Sequence, residues 1–470
     1  MKLLLIVLNI FFVSFTDKPT VSQPALSERA MTQREKWQVE LDEMDYPVDA
    51  GYLDSLVSKG AKVMHTSRWM NGATVEMSDS IAKIVAEWDF VADIEITRDN
   101  SSPRAFAPAL KCPNQIQETE SEPAIAQTDK QLNLYNLLPL HREGFEGQGI
   151  VMAVCDGGFY KADTLSCFRQ SELELGHYDF TDDTDDFYGA TGNHGTMCLS
   201  AISGKTIGFT GAATKAQYYL MRSEEYSTES RKEMDNLVAA LEKADSLGVN
   251  VFSVSLGYYM FDNISWDITH EALDGVTSRV SRAATIAARK GMLVCVAAGN
   301  EGNTPWQKIC LPADADSILT VGAVDQEGVI ADFSGYGPSA DGRIKPEVCA
   351  VGAQTVLLSP KGKIVRSNGT SFAAPLIAGM AATLWSALPD ENAMQIRERI
   401  LRSADRYHNP DPIRYGYGIP DAWKAYTMQT EGCSVPTEST KNEVRKVIRG
   451  TEMFIIRHGH VYNLAGQLVQ

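Results

Sequence analysis

Apolar positions along the chain change period from one segment to the next. Ile150 to Cys155 is a continuous apolar run, the pattern of a strand buried on both faces of a parallel sheet. Residues 231–247 repeat their apolar positions every three or four residues, which predicts a long amphipathic helix, and 249–254 predict the next strand. A helix over 281–290 and a strand over 292–298 continue the alternation. We therefore expect an α/β domain whose parallel sheet is covered on both faces.

The segment before this domain shows a different, more compact alternation. Its pattern predicts helices over 50–59 and 80–88 and strands over 61–66, 73–77 and 91–97. This order is typical of a small α+β domain of the ferredoxin-like type, which we assign to residues 23–97. Residues 98–132 are polar and proline-rich, and we expect them to be a linker.

The first residues read as an export signal. Met1-Lys2 is followed by a short apolar run, as in a secretory signal peptide, which we assign to residues 1–22. A buried N-terminal strand or helix is the alternative for the same run. The run is shorter than the roughly 20 apolar residues of a spanning helix, so we expect no transmembrane anchor after signal removal.

Composition narrows the function classes. The 470 residues contain 43 Lys and Arg against 60 Asp and Glu, a net charge of −17. Nucleic-acid binding is disfavoured, since gripping phosphates needs clustered cations. The eight cysteines include no C-x-x-C pair, which argues against a zinc ribbon, and their disulfide state stays open.

Four polar residues stand at the ends of predicted elements. Asp156 follows the first strand, His194 precedes an apolar helical stretch, Asn300 follows the strand at 292–298, and Ser371 precedes an apolar run. Each alone has a plain structural reading, as a turn residue or a helix cap. Together they suit nucleophilic catalysis, in which histidine takes the serine proton, a carboxylate orients the histidine, and an amide donates to the oxyanion.

The order Asp156, His194, Ser371, with Gly-Thr-Ser-Phe-Ala-Ala-Pro around the serine, resembles the subtilisin-like serine proteases, or subtilases. The resemblance covers about residues 133–430 and implies a three-layer parallel-sheet peptidase that works through an acyl-enzyme. It implies Ser371 as the nucleophile, His194 as the general base, Asp156 as its orienter and Asn300 in the oxyanion hole. No cofactor is then required for the chemistry.

The same resemblance implies two substrate-binding segments and a proteolytic life history. The segments are Ser255, Leu256 and Gly257, which would pair with an extended peptide, and Ala297, Ala298 and Gly299, which would form the opposite wall of the P1 pocket. The domain at 23–97 would be a propeptide that inhibits the enzyme in the same chain; a permanently attached accessory domain is the alternative. Two residues depart from the family pattern, Gly157 after the aspartate and Cys198 in the histidine motif.

An acidic loop precedes His194. Asp182, Asp183 and Asp185 are candidate calcium ligands, because calcium prefers oxygen ligands and many subtilases bind it. Their spacing is not that of an EF-hand loop, and we favour a solvated acidic loop over a structural calcium site.

Residues 431–470 form a separate C-terminal segment. A polar linker leads to two predicted strands, 453–457 and 460–464, in a β-hairpin. The hairpin resembles the sorting signals of the type IX secretion pathway, which implies export from a Gram-negative bacterium to the periplasm, the cell surface or the medium. A hairpin packed on the core is the alternative.

Two rival functions are kept. An α/β-hydrolase esterase would need its acid and histidine after the serine, and only His408 is available there. A non-catalytic secreted binding protein on a subtilase fold is the second rival, and the intact set of four residues argues against it.

Overall fold

The computed structural model describes residues 7–18, 23–100, 128–181, 186–189, 192–225 and 228–429, and the backbone of 445–449, 452–457 and 460–462. The chain divides into two compact units, Met1–Thr427 and Met428–Gln470. The first unit contains the N-terminal α+β domain and the large α/β domain.

The N-terminal domain is an antiparallel sheet with helices. Its strands are β1 (Asn9–Phe15), β2 (Lys62–Ser67), β3 (Gly72–Met77) and β4 (Val91–Arg98), in the spatial order β2-β3-β1-β4. Its helices are α1 (Glu28–Trp37), α2 (Ala50–Ser58) and α3 (Asp79–Val85). The ferredoxin-like prediction is confirmed, and the three predicted strands and two predicted helices all form.

The first strand lies where the sequence predicted a signal peptide. Asn9–Phe15 is an inner strand, paired with β3 on one side and β4 on the other, and Phe11, Val13 and Phe15 are buried in the core of this domain. The domain therefore starts well before residue 23, the predicted boundary. A short apolar run meets the needs of both an export signal and a buried strand, and here it forms the strand. The signal peptide itself stays a prediction.

The large domain contains a seven-stranded parallel sheet in the order β13-β12-β11-β10-β5-β9-β6. Its strands are β5 (Val151–Asp156), β6 (Glu174–Asp179), β9 (Gln217–Arg222), β10 (Val251–Val254), β11 (Leu293–Ala297), β12 (Leu319–Val324) and β13 (Val348–Val351). Two short two-stranded sheets join β7 (Lys205–Thr206) to β8 (Phe209–Thr210) and β14 (Thr355–Leu358) to β15 (Ile364–Ser367). The predicted parallel sheet is confirmed.

Helices cover both faces of this sheet. They are α4 (Asp129–Leu134), α5 (Leu138–Arg142), α6 (Gln170–Leu173), α7 (His194–Ser203), α8 (Arg231–Leu247), α9 (Arg279–Arg289), α10 (Thr370–Ala387), α11 (Ala393–Ser403) and α12 (Ala422–Thr427). Helix α4 begins inside the predicted linker at 98–132. Helix α10 has the length and hydropathy of a membrane span, but 89% of it is buried within the protein, as in a core helix.

The C-terminal unit contains a three-stranded antiparallel sheet of β16 (Arg445–Arg449), β17 (Glu452–Arg457) and β18 (His460–Tyr462). The predicted hairpin corresponds to β17 and β18. Strand β16 adds a third strand in the segment predicted as a linker.

Candidate active site

The predicted site residues lie at one edge of the sheet. Asp156 is the last residue of β5, Ser255 follows β10, and Ala298 follows β11. Since β10 pairs in parallel with both β5 and β11, the carboxyl ends of these three strands are neighbours. Side chains that follow buried parallel strands meet at this edge, where open α/β sheets bind ligands.

Asp156 holds His194 by its Nδ1 atom. Nδ1 lies 2.8 Å from each carboxylate oxygen of Asp156, which is buried at the end of β5. The backbone N–H of Gly157 donates to Asp156 Oδ1 at 2.8 Å, so the residue that departs from the family pattern supports the carboxylate through its main chain. Gly195 lets α7 approach closely, because a Cβ there would lie 2.5 Å from the carbonyl oxygen of Gly158. The helix thus begins with His194 directly over Asp156.

The surroundings of His194 alter its basicity. Burial by itself would lower the pKa of the imidazole, but the adjacent Asp156 carboxylate outweighs burial and raises the pKa well above 6.5. The neighbouring Cys198 is a neutral thiol at neutral pH, since burial raises its pKa to about 11. The Cys198 Sγ atom is 3.8 Å from His194 Nδ1 and donates to the carbonyl oxygen of Ser371 at 3.3 Å.

Ser371 lies in the first turn of α10, next to His194. The ring of the following residue, Phe372, is 5.4 Å from the His194 ring, centroid to centroid. The Ser371 hydroxyl donates to the carbonyl oxygen of Ser255 at 3.3 Å, and the Ser255 hydroxyl donates back to the carbonyl oxygen of Ser371 at 2.8 Å. His194 Nε2 is buried and has no hydrogen-bond partner among the described residues. The ring nitrogen turned away from Asp156 is therefore available to a hydroxyl proton.

Asn300 is oriented by the residue before the serine. Its Oδ1 atom accepts hydrogen bonds from the Thr370 backbone N–H at 2.8 Å and from the Thr370 hydroxyl at 3.0 Å. The N–H of Gly299 donates to the same hydroxyl at 3.1 Å. Sequence reasoning did not single out Thr370, although it stands inside the Gly-Thr-Ser motif. Its two donors turn the carbonyl end of the amide toward α10 and the NH₂ end to the opposite side.

Two backbone segments flank this group. Ser255, Leu256 and Gly257 run on from β10, and the last two are not buried. Ala297, Ala298 and Gly299 run on from β11. Cys310 lies between the two segments, because a Cβ on Gly257 would be 3.0 Å from the Cys310 Cβ and a Cβ on Gly299 would be 2.8 Å from its Sγ. Sequence reasoning missed Cys310, and no local signal around it indicates this position.

A buried carboxyl group adjoins Cys310. Glu301 Oε2 accepts from the Asn300 backbone N–H at 2.6 Å and from the Cys310 thiol at 3.2 Å. Burial raises the pKa of Glu301. This end of the gap between the two segments is thus filled by a thiol and a carboxyl group that bond to each other.

Metal and disulfide predictions have separate outcomes. The candidate calcium ligands Asp182, Asp183 and Asp185 lie outside the described residues. Within the described residues, two groups have ligand atoms close enough for a metal ion: Asp156, His194 and Cys198, which is the site itself, and Glu224, Glu229 and Glu233. Six cysteines fall in the described part of the chain, and none is in a disulfide: Cys155, Cys167, Cys198, Cys295, Cys310 and Cys349.

Comparison with known proteins identifies both halves of the first unit. Residues 147–418 match the model of the subtilase family, and residues 10–111 match the model of a peptidase S8 propeptide domain of Bacteroidota. The second match starts at β1 and supports its place in the N-terminal domain.

Individual relatives are distant. The chain is 27% identical over 311 residues to Serine protease AprX of Bacillus subtilis, covering 59% of this chain and 66% of that protein. It is 28% identical over 282 residues to Subtilisin DY of Bacillus licheniformis, covering 59% of this chain and 90% of that protein. The crystal structure of MycP1 from the ESX-1 type VII secretion system has a TM-score of 0.54 at 22% identity, covering 67% of this chain and 90% of that one, and shares the fold.

Proposed function

The chain belongs to the subtilase family of serine peptidases, and from that premise we propose that it is an exported endopeptidase whose Ser371, His194 and Asp156 form the catalytic triad. The observation that carries this proposal is the pair of 2.8 Å contacts from Asp156 to His194 Nδ1, which leave Nε2 directed at the start of α10. The matched propeptide domain makes the full chain a zymogen.

The proposed first step forms an acyl-enzyme. Ser371 Oγ turns from the Ser255 carbonyl to His194 Nε2, gives up its proton there and attacks the carbonyl carbon of the scissile peptide. His194 then passes this proton to the leaving amine as the C–N bond breaks. Asp156 keeps Nδ1 protonated and stabilises the imidazolium while it exists. Water repeats the sequence on the ester and restores Ser371.

The tetrahedral oxyanion would be stabilised by two donors. The Asn300 side-chain NH₂ supplies one, with its orientation fixed by Thr370. The backbone N–H of Ser371 supplies the second, at the first turn of α10, where helix amide groups have no intrahelical acceptor. Both donors are preorganised, so they need no reorganisation when charge develops.

The substrate would bind as an extended strand. Ser255, Leu256 and Gly257 offer backbone groups beyond β10, and Ala297 to Gly299 form the facing wall. With Cys310 between the walls, the P1 pocket is shallow and suits small side chains.

Export completes the proposal. The apolar N-terminus and the C-terminal hairpin that resembles a sorting signal both support a location outside the cytoplasm of a Gram-negative cell, in the periplasm, at the surface or in the medium. Substrates would then be extracytoplasmic proteins or peptides, and no cofactor is required for the chemistry.

The variant Ser371→Ala tests the function. It should neither hydrolyse casein nor react with a serine-directed phosphonate, whereas the wild type should do both. Ser367→Ala is the matched control, because the Ser367 hydroxyl is also buried but makes no hydrogen bond among the described residues. Casein hydrolysis by Ser371→Ala at the wild-type rate would overturn the triad assignment.

A further inference from the structure

The propeptide domain contacts helix α8 at both of its ends. Near the active-site edge, Arg98 at the end of β4 pairs with Glu225 at 2.6 Å, and Arg231 pairs with Glu95 at 2.8 Å. The other end of α8 leads into β10 and therefore lies at the amino edge of the parallel sheet, away from Ser371. We call the surface formed there by Asp245, Gly248, Asn250 and Lys290 the distal dock.

Helix α1 of the propeptide domain lies on the distal dock. The backbone N–H of Ser27, which caps α1, donates to the carbonyl oxygen of Ser246 at 2.8 Å. Arg29 donates to the Gly248 carbonyl at 2.9 Å and to Asn250 Oδ1 at 2.8 Å. Gly248 has a φ of 71°, and a Cβ there would lie 2.9 Å from the backbone nitrogen of Ala30. The two domains thus meet backbone to backbone at this point.

Buried charges fix the helix in place. Arg34, which is only 5% exposed, donates to both oxygens of Asp245 at 2.7 and 2.9 Å and to Asp45 at 3.1 Å. Arg68 donates to the same Asp245 at 2.6 Å, and Lys290 donates to Asp45 at 2.6 Å. Each domain therefore supplies both signs of charge, and separating them leaves buried ions without partners, which is costly.

We propose that the distal dock retains the propeptide on the peptidase after the connecting chain is cut, so that release of α1 sets when activity appears. This inference rests on the proposed function. A cut after β4 breaks none of the contacts at the distal dock. While the dock holds, the active-site end of the propeptide can rebind as an intramolecular event, at a high effective concentration. The partner of this surface is the basic helix of the chain's own propeptide.

The full chain, allowed to process itself, tests the proposal. Arg34→Met should leave cleavage unchanged but speed dissociation of the cut propeptide by roughly thirtyfold or more, because it truncates one partner of a buried charge pair. Gel electrophoresis reports cleavage, co-elution on size exclusion reports the complex, and peptide hydrolysis reports release. The lag before activity should shorten by the same factor.

Lys62→Met is the matched control, since it removes one positive charge from an exposed position on β2, away from the dock. Its dissociation rate should stay within about twofold of wild type. Equal rates for Arg34→Met and Lys62→Met would overturn the proposal. If Arg34→Met does not fold, Arg29→Gln tests the same dock, with release about threefold faster than for Lys62→Met expected and an equal rate contradicting it.

A second measurement does not depend on the proposed activity. In the Ser371→Ala chain, which stays uncut, hydrogen exchange of the α1 amides should be at least thirtyfold faster with Arg34→Met than without it, while the β1 and β3 amides keep their protection. Unchanged α1 exchange would refute the dock. Absent casein hydrolysis by the wild type would refute the peptidase proposal and leave this result standing.

Discussion

The propeptide domain and the peptidase domain differ in where they complete their packing. The peptidase domain surrounds its sheet with its own helices and places its proposed catalytic residues on adjacent strand ends. The propeptide domain has a small core of its own, but Trp69, in its β2–β3 turn, is buried among the core residues of the peptidase. Its Arg34 and Arg68 also find their carboxylate partner, Asp245, in the other domain.

This difference separates two kinds of residue. Residues of the site act through neighbours in their own domain, so changing them alters chemistry and leaves assembly intact. Residues of the propeptide act through the other domain, so changing them alters assembly and leaves the matured enzyme unchanged. The following predictions test this separation, beginning with the largest effect.

The first prediction concerns Asp156→Asn. It should lower kcat by about 10⁴, because an amide no longer holds His194 in the tautomer that leaves Nε2 as the base. The propeptide should remain docked, with α1 exchange as in the parent chain. A loss of only two- or threefold in kcat would remove Asp156 from the triad.

The second prediction moves to the other domain. Trp69→Ala should cost about 3 kcal/mol of protection at β1 and β3, measured by native-state hydrogen exchange on the Ser371→Ala chain, because it leaves a cavity between the domains. Trp37→Ala, at a half-buried position at the end of α1, should cost about 1 kcal/mol. Similar costs for both would show that Trp69 does not join the two cores.

The third prediction sharpens the description of the site. Cys310→Gly should raise kcat/KM for peptides with phenylalanine at P1 about tenfold relative to those with alanine, since it empties the space between the two substrate walls. Cys349→Ala, at a buried thiol in β13, should leave the ratio unchanged. An unchanged ratio in Cys310→Gly would mean that this thiol does not limit P1.

The smallest expected effect is a pH dependence. His194 must be neutral to take the serine proton, and Asp156 raises its pKa well above 6.5, so acidification protonates it early. The kcat/KM of the processed enzyme should therefore be less than half of its alkaline plateau at pH 6.5. A profile already at its plateau at that pH would contradict the raised pKa.

Elements with local signals were predictable from the sequence. Helix α8 was predicted with its observed ends, since Ser230 and Glu233 form a capping box and Gly248 takes the left-handed conformation at the end. The four site residues were found because a polar residue after a buried strand, inside a specific motif, carries its own signal.

Features that depend on distant partners were not predictable. Strand β1 was taken for a signal peptide because its identity as a strand rests on β3 and β4, far along the chain. Cys310 was missed because its place between Gly257 and Gly299 arises only when its loop folds back. The arginines of α1 carry no mark in the sequence of the partner they meet.

The position of β1 has a practical consequence for recombinant work. A chain started at residue 23, where a leader would ordinarily be trimmed, loses the strand that joins β3 to β4, and the pairing of Ile10 with Arg98 goes with it. The remaining β4 would be a solitary edge beside an open sheet, a template for aggregation. We expect such a chain to accumulate as insoluble protein, and a chain that keeps residues 9–15 to yield a soluble zymogen.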